Sequence, residues 1–147
     1  MRVGSPRAVF AAPQAASPRG EMSLKVGASD TGGLLGAMEA VVPFGYSPSL
    51  HVHQHEDEVF YVLEGTVEFV CDEDRFTGEA GAFVFLPRGL PHTFLGRSQS
   101  GARVLLLFVP GGLERMFLAT NGSGHESPPE DHGIKIVGPP LTDAVRS

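Results

Sequence analysis

Short apolar runs cut by glycine and proline govern what this chain can fold into. Its nineteen glycines and twelve prolines sit as punctuation between those runs. That is the pattern of an all-β barrel or sandwich. Strands are predicted at Met22–Val26, Leu34–Val42, Leu50–His53, Glu58–Leu63, Thr66–Cys71, Ala82–Leu86, His92–Leu95 and Arg103–Val109. Between them lie turn signals at Asp30-Thr31-Gly32-Gly33, Pro43 to Pro48, Glu64-Gly65, Gly78 to Gly81, Pro87 to Pro91 and Gly96 to Gly101. After Pro110-Gly111-Gly112, the apolar Leu113, Met116 and Phe117 recur at i, i+3 and i+4. They predict a short helix over Leu113–Ala119 with one face capping a sheet. Residues 1–20, rich in Ala, Pro, Ser and Arg without periodicity, read as a flexible tail. Residues 21–119 form one domain, and residues 120–147 a polar loop and an edge segment with a strand at Ile134–Val137. No internal repeat is visible, so one barrel is expected rather than two in tandem.

The balance of charge narrows the function. Seventeen acidic against eleven basic residues leave a net charge of −6, with only Lys25 and Lys135 as lysines and no basic run. Nucleic acid is a poor partner for such a surface. The single cysteine, Cys71, excludes an internal disulfide and a Cys-rich zinc ribbon, and beside Asp72-Glu73-Asp74 it reads as structural. No apolar run reaches the ~18–20 residues of a membrane span. The apolar stretch Ala8–Ala12 falls short of a signal-peptide core and is followed by Pro13. Together these features lead to the expectation of a cytoplasmic protein.

Chemistry concentrates in HVHQHEDE. In a strand, residues i and i+2 share a face, so His51 and His53 aim at one point. Glu58 starts the next strand, where a hairpin returns its carboxylate toward that point, and His92 enters on a separate strand after Pro87-Arg88-Gly89. Three imidazoles and a carboxylate suit a divalent transition metal with positions left open for water or substrate. His55 shares the parity of His53 but falls in the turn, which leaves it as a ligand, a supporting residue or a solvated one. His125 and His132 sit in the polar C-terminal segment and receive no role.

The spacings carry a family resemblance. Gly45, His51, His53, Glu58 and Gly65 match the first cupin motif, G-x5-H-x-H-x3,4-E-x6-G. Gly81, Pro87, Gly89 and His92 match the second, G-x5-P-x-G-x2-H, although Gly96 stands where that motif usually ends in Asn. The chain therefore resembles the cupin superfamily, specifically its small single-domain members. The resemblance implies a cupin jelly-roll β-barrel, a double-stranded β-helix, spanning residues 21–119 and followed by the short C-terminal helix. It also implies one divalent transition metal per subunit (Fe, Ni, Mn, Co, Cu or Zn), held by His51, His53, Glu58 and His92. A homodimer through an edge strand is implied as well.

Four segments extend the resemblance to actinobacterial cupins of quercetin 2,3-dioxygenase type: HEDEVFYVLEG, FVFLPRGLPHTF, LLLFVPGGLERMF and GIKIVGPPL. It implies a metal-dependent dioxygenase acting with O2 on a small, apolar, oxygenated phenol or enol, with Glu58 as the catalytic carboxylate. A non-oxidative zinc-type polyketide cyclase or isomerase is the alternative, favoured if His55 were a fourth histidine ligand. A ligand-binding barrel without catalysis is the second. Phe60 shares the parity of Glu58, and Phe94 that of His92, while Phe83 and Phe85 share one face of their strand. As a set these four phenylalanines are the expected wall of an apolar substrate pocket.

Overall fold

The computed structural model describes residues 7–13, 22–119 and 129–142. Most of the tail expected over residues 1–20, and residues 120–128 of the polar loop with His125, lie outside the described residues. Within them, the elements run β1 (Ser23–Val26), α1 (Ala28–Thr31), β2 (Gly36–Val42), β3 (His51–His53), β4 (Asp57–Glu64) and β5 (Thr66–Cys71). They continue with β6 (Asp74–Glu79), β7 (Phe83–Leu86), β8 (His92–Gly96), β9 (Ala102–Val109), α2 (Glu114–Ala119), a 3-10 turn at Pro129–His132, and β10 (Ile134–Ile136). Two five-stranded sheets result, in the orders β1-β2-β9-β4-β7 and β10-β3-β8-β5-β6. All strand pairings are antiparallel. The chain passes repeatedly from one sheet to the other, which is the expected jelly-roll arrangement with a short helix after the last long strand.

Alternation explains the core. In β9 the side chains of Ala102, Val104, Leu106 and Phe108 face inward and are buried, and those between them are more exposed. Cross-strand partners share a face, so Leu106 opposite Met38 and Phe60, and Phe108 opposite Glu58, assign the inner faces of β2 and β4. Phe60 then meets Phe69 and Phe94 edge-to-face, with ring centroids 5.2 and 5.1 Å apart. Each such aromatic pair contributes about 0.5–1.5 kcal/mol beyond area burial. The sheet-switching turn between β4 and β5 needs Gly65 for two reasons. Its φ is +83°, and a Cβ there would sit 2.9 Å from both the Ala102 Cα and the Ser98 Oγ.

Besides the 3-10 turn at Pro129–His132, two elements have no counterpart in the predicted strands and helix. β6, Asp-Arg-Phe-Thr-Gly-Glu, is an edge strand exposed at every position except Gly78, so no buried face marks it in the sequence. α1 is a single turn, too short for periodicity, and ends at Gly32 in a left-handed conformation. α2 is fastened to this turn by Glu114. That side chain is 1% exposed, and its Oε2 accepts from the Ala28 N–H at 2.8 Å while its Oε1 accepts from the Gly112 N–H at 2.7 Å. Gly36 makes room for it, since a Cβ on residue 36 would overlap the Glu114 carboxyl group.

Candidate metal centre

His51 and His53 stand on the inward face of β3 with Val52 between them on the other face. That strand is short, and its neighbours hold it. On one side it bridges to β8 through His51 opposite His92, and on the other β10 aligns Ile134 with His53 and Ile136 with His51. Three histidines thus come from one sheet, while Glu58 reaches them from β4 in the other. All four are buried, and one ligand atom from each lies within 4.8 Å of the rest. Glu58 Oε1 is 2.9 Å from His92 Nε2 and 3.2 Å from His53 Nε2. The ring centroids of His51, His53 and His92 are 4.6–5.0 Å apart.

Hydrogen bonding prepares the donors. His51 Nδ1 sits 2.6 Å from the Ser49 carbonyl oxygen, which can only accept, so Nδ1 carries the proton and Nε2 keeps its lone pair. Burial pushes the His51 pKa down to about 4, His92 and His53 add to the effect, and the Ser49 carbonyl and Glu58 oppose it. The imidazole is therefore neutral at pH 7, the form that binds metal. Burial alone would raise the Glu58 carboxyl. The approach of His53 Nε2 at 3.2 Å and the hydrogen bond with His92 Nε2 outweigh it and hold Glu58 well below the usual carboxylate range. His53 Nε2 is buried without a hydrogen-bond partner among the described residues. An unpartnered buried nitrogen costs about 1–3 kcal/mol, which a cation accepting its lone pair removes. The residues fit a divalent transition metal. His51, His53, Glu58 and His92 would hold it.

A cavity of about 360 Å³ opens from this cluster into the barrel. Phe60 and Phe94 line it, as expected. Phe83 and Phe85 do not: they are 68% and 54% exposed on the outside of the sheet. The register gives the reason. Val84 pairs with inward Phe60 and Leu86 with inward Glu58, so the alternate positions 83 and 85 must point away. Every residue of Phe-Val-Phe-Leu is apolar, so its pattern alone does not choose a face. His55 is exposed and outside the cluster, packed near Gly133. His132 is half-buried and likewise outside it. Arg88, the basic residue of the second motif, is exposed and paired with Asp57 through two 3.2 Å contacts. Cys71 is buried at the end of β5. Burial pushes its thiol up, and Asp72 and Asp74 add to the shift, which disfavours the reactive thiolate.

Sequence reasoning missed part of the wall. Val104 and Leu106 of β9 line the cavity, as do Ile134 and Ile136 of β10 and Tyr46 from the loop before β3. Met116 and Phe117 also line it; their helical spacing signalled a buried face but not what it covers. Phe117 stacks on Phe108 with centroids 5.6 Å apart, which sets α2 against the site. No helix among the described residues is long and apolar enough to cross a membrane.

Comparison with known proteins agrees with this architecture. Residues 38–109 match the cupin domain family. An uncharacterized protein, MJ1618 of Methanocaldococcus jannaschii, is 35% identical over 54 residues, which cover 37% of this chain. The matched region spans 43% of that relative's length. Among solved structures, KdgF from Halomonas sp. is similar in fold, with a TM-score of 0.62 and 18% identity, over 74% of this chain and 99% of that one. A Cupin 2 conserved barrel domain protein from Salinispora arenicola gives 0.56 and 19%, over 78% and 100%. TT1209 from Thermus thermophilus gives 0.53 and 26%, over 66% and 90%.

Proposed function

The chain belongs to the cupin family, and from that premise we propose that it is a metal-dependent dioxygenase acting on a phenolic or enolic small molecule. One observation carries the reading: the cavity that opens onto the His51, His53, Glu58 and His92 cluster is otherwise nearly all apolar. Beyond those residues, among the described residues its lining holds only Tyr46 and Ser49 as polar residues, with neither lysine nor arginine. A phosphorylated or carboxylated substrate would find no cationic partner there. An apolar ring system with one ionisable hydroxyl would fit.

A divalent transition metal bound by the four residues would supply charge stabilisation for a substrate oxyanion and, if redox-active, electron exchange with O2. The protein's own groups do the rest. Glu58 is a weak base while it faces His53 and His92, so it accepts the proton of the substrate hydroxyl once its carboxylate rotates away from them: the substrate O–H bond breaks and a carboxyl O–H bond forms. His51, held by the Ser49 carbonyl, keeps its orientation while this happens. Phe60, Phe94, Leu106 and Phe117 exclude bulk water, which strengthens every charge interaction at the centre.

Two measurements test the reading. Elemental analysis of protein purified without chelators should find near-stoichiometric metal, and an oxygen electrode should record one O2 consumed per flavonol turned over. Turnover without oxygen uptake, or zinc as the sole metal, would replace the dioxygenase with Lewis-acid cyclisation or isomerisation. The exposed position of His55 weighs against a four-histidine centre of that kind. Protein that holds no metal would leave a binding barrel.

A further inference from the structure

The geometry points to Tyr46 as the residue that selects the substrate, by hydrogen-bonding an oxygen function at the end of the molecule remote from the metal. This rests on the reading that an aromatic or enolic molecule fills the cavity, and it adds that the molecule carries oxygen at both ends.

The inner surface is ordered along the strands. Glu58 and Phe60 are successive inward positions of β4, and His92 and Phe94 are successive inward positions of β8. One such step is about 6.6 Å along a strand. Phe60 and Phe94, in edge-to-face contact, therefore form an apolar layer immediately past the ligands. Tyr46 lies beyond that layer, its ring centroid 6.2 Å from that of Phe94. The two steps place its ring on the order of 10 Å from the metal cluster, about the length of a two- or three-ring molecule.

Tyr46 is placed firmly. Its N–H donates to the Pro43 carbonyl at 3.1 Å, and its carbonyl accepts from the Gly96 N–H at 3.0 Å, while Gly45 N–H donates to the Gly96 carbonyl at 2.9 Å. The loop is thus tied to the end of the strand that carries His92. Tyr46 lines the apolar cavity at its exposed end, 49% exposed, and its hydroxyl makes no hydrogen bond among the described residues, which leaves it open to a ligand entering there. Burial raises the Tyr46 pKa above its ordinary value, so at neutral pH the group is a donor. Ser49, the other polar residue of the lining outside the cluster, is next to the ligands, where its carbonyl already holds His51. The far end of the cavity is left to Tyr46.

Two probes that differ only at the remote end separate this role from packing: 3-hydroxyflavone, and the same flavonol with a hydroxyl added at its 4′ position. Binding to the purified protein is titrated without oxygen, so that affinity is read apart from turnover. Tyr46→Phe keeps the ring against Phe94 and removes only the hydroxyl, and an unchanged melting midpoint checks the fold. The 4′-hydroxylated probe should bind the variant about 2- to 10-fold more weakly than the wild type, with under about 2-fold change for the other. Equal changes for both probes, or none, would overturn the assignment. So would wild-type protein that binds neither. Discrimination between probes with no oxygen uptake in air would sustain the Tyr46 assignment and overturn the dioxygenase. Oxygen uptake without discrimination would do the reverse.

Discussion

The clamp between α2 and the first strand layer makes a quantitative prediction, because Gly36 and Glu114 need each other. Replacing Glu114 with alanine removes the acceptor for two backbone donors, Ala28 N–H in a buried position and Gly112 N–H in a partly buried one. Leaving a buried donor unsatisfied costs about 1–3 kcal/mol, and the partly buried one recovers some of that from water, so the loss should be about 3 kcal/mol. Gly36→Ala in the wild type forces a methyl into the Glu114 carboxyl group, an overpacking cost of about 1–3 kcal/mol. In the Glu114→Ala background the obstruction is gone. There Gly36→Ala should cost nothing, or return about 0.4–1 kcal/mol by restricting the unfolded chain. The double-mutant cycle should therefore show a coupling of about 2 kcal/mol, with the double mutant more stable than the sum of the singles. The chain has no tryptophan, so urea unfolding followed by far-UV circular dichroism is the suitable assay. Additivity within about 0.5 kcal/mol would refute the clamp.

Three further outcomes follow from the site and its walls. Metal restored to chelator-treated protein at a hundredfold excess over its Kd should add about 2.7 kcal/mol and raise the melting midpoint by roughly 5–10 °C; an unchanged midpoint in calorimetry would count against the centre. In metal-free protein, His51 has a folded pKa of about 4 against 6.5 unfolded, so the unfolded chain binds the extra proton between those values. Stability should be full above about pH 6.5 and fall by about 3 kcal/mol as pH drops to 4, and a flat profile in urea titrations would contradict the burial of neutral His51. Phe83→Ser and Phe85→Ser, on the outer face, should shift stability by no more than about 0.5 kcal/mol and leave flavonol affinity unchanged. Phe60→Ala, in the core, should cost about 3–5 kcal/mol, and similar values for all three would overturn the assigned faces.

Much of the fold could be read in advance where one face of a strand is buried. Thr66–Cys71 is predicted and observed with the same ends, and Arg103–Val109 differs from the observed strand by one residue. The four residues of the cluster were legible because strand parity fixes His51 with His53, and the two glycine-framed motifs fix where Glu58 and His92 enter. What escaped has physical reasons. β6 buries almost nothing, so no alternation marks it. In Phe83–Leu86 both faces are apolar, and only the pairing of Leu86 with Glu58 shows which one turns inward. Tyr46, Ile134 and Ile136 reach the cavity through contacts between segments far apart in sequence, which local pattern does not encode.

The strand that carries two of the clustered histidines is also the one least able to stand alone. β3 has one bridged position with β8, and its three-residue register is supplied by β10, well after the matched cupin segment. On a ribosome, His51, His53, Glu58 and His92 emerge first, and the segment that aligns β3 emerges later. Early metal uptake would be by a loose, exchanging set of ligands, and the tight centre would close only as Ile134–Ile136 docks. We expect chains ending at residue 119 to release metal to a chelator much faster than the full chain; equal release rates would show that β10 has no hold on the site. Metal choice in such a protein would then depend on which ion is at hand when β10 docks, and that strand would act as a latch on the choice.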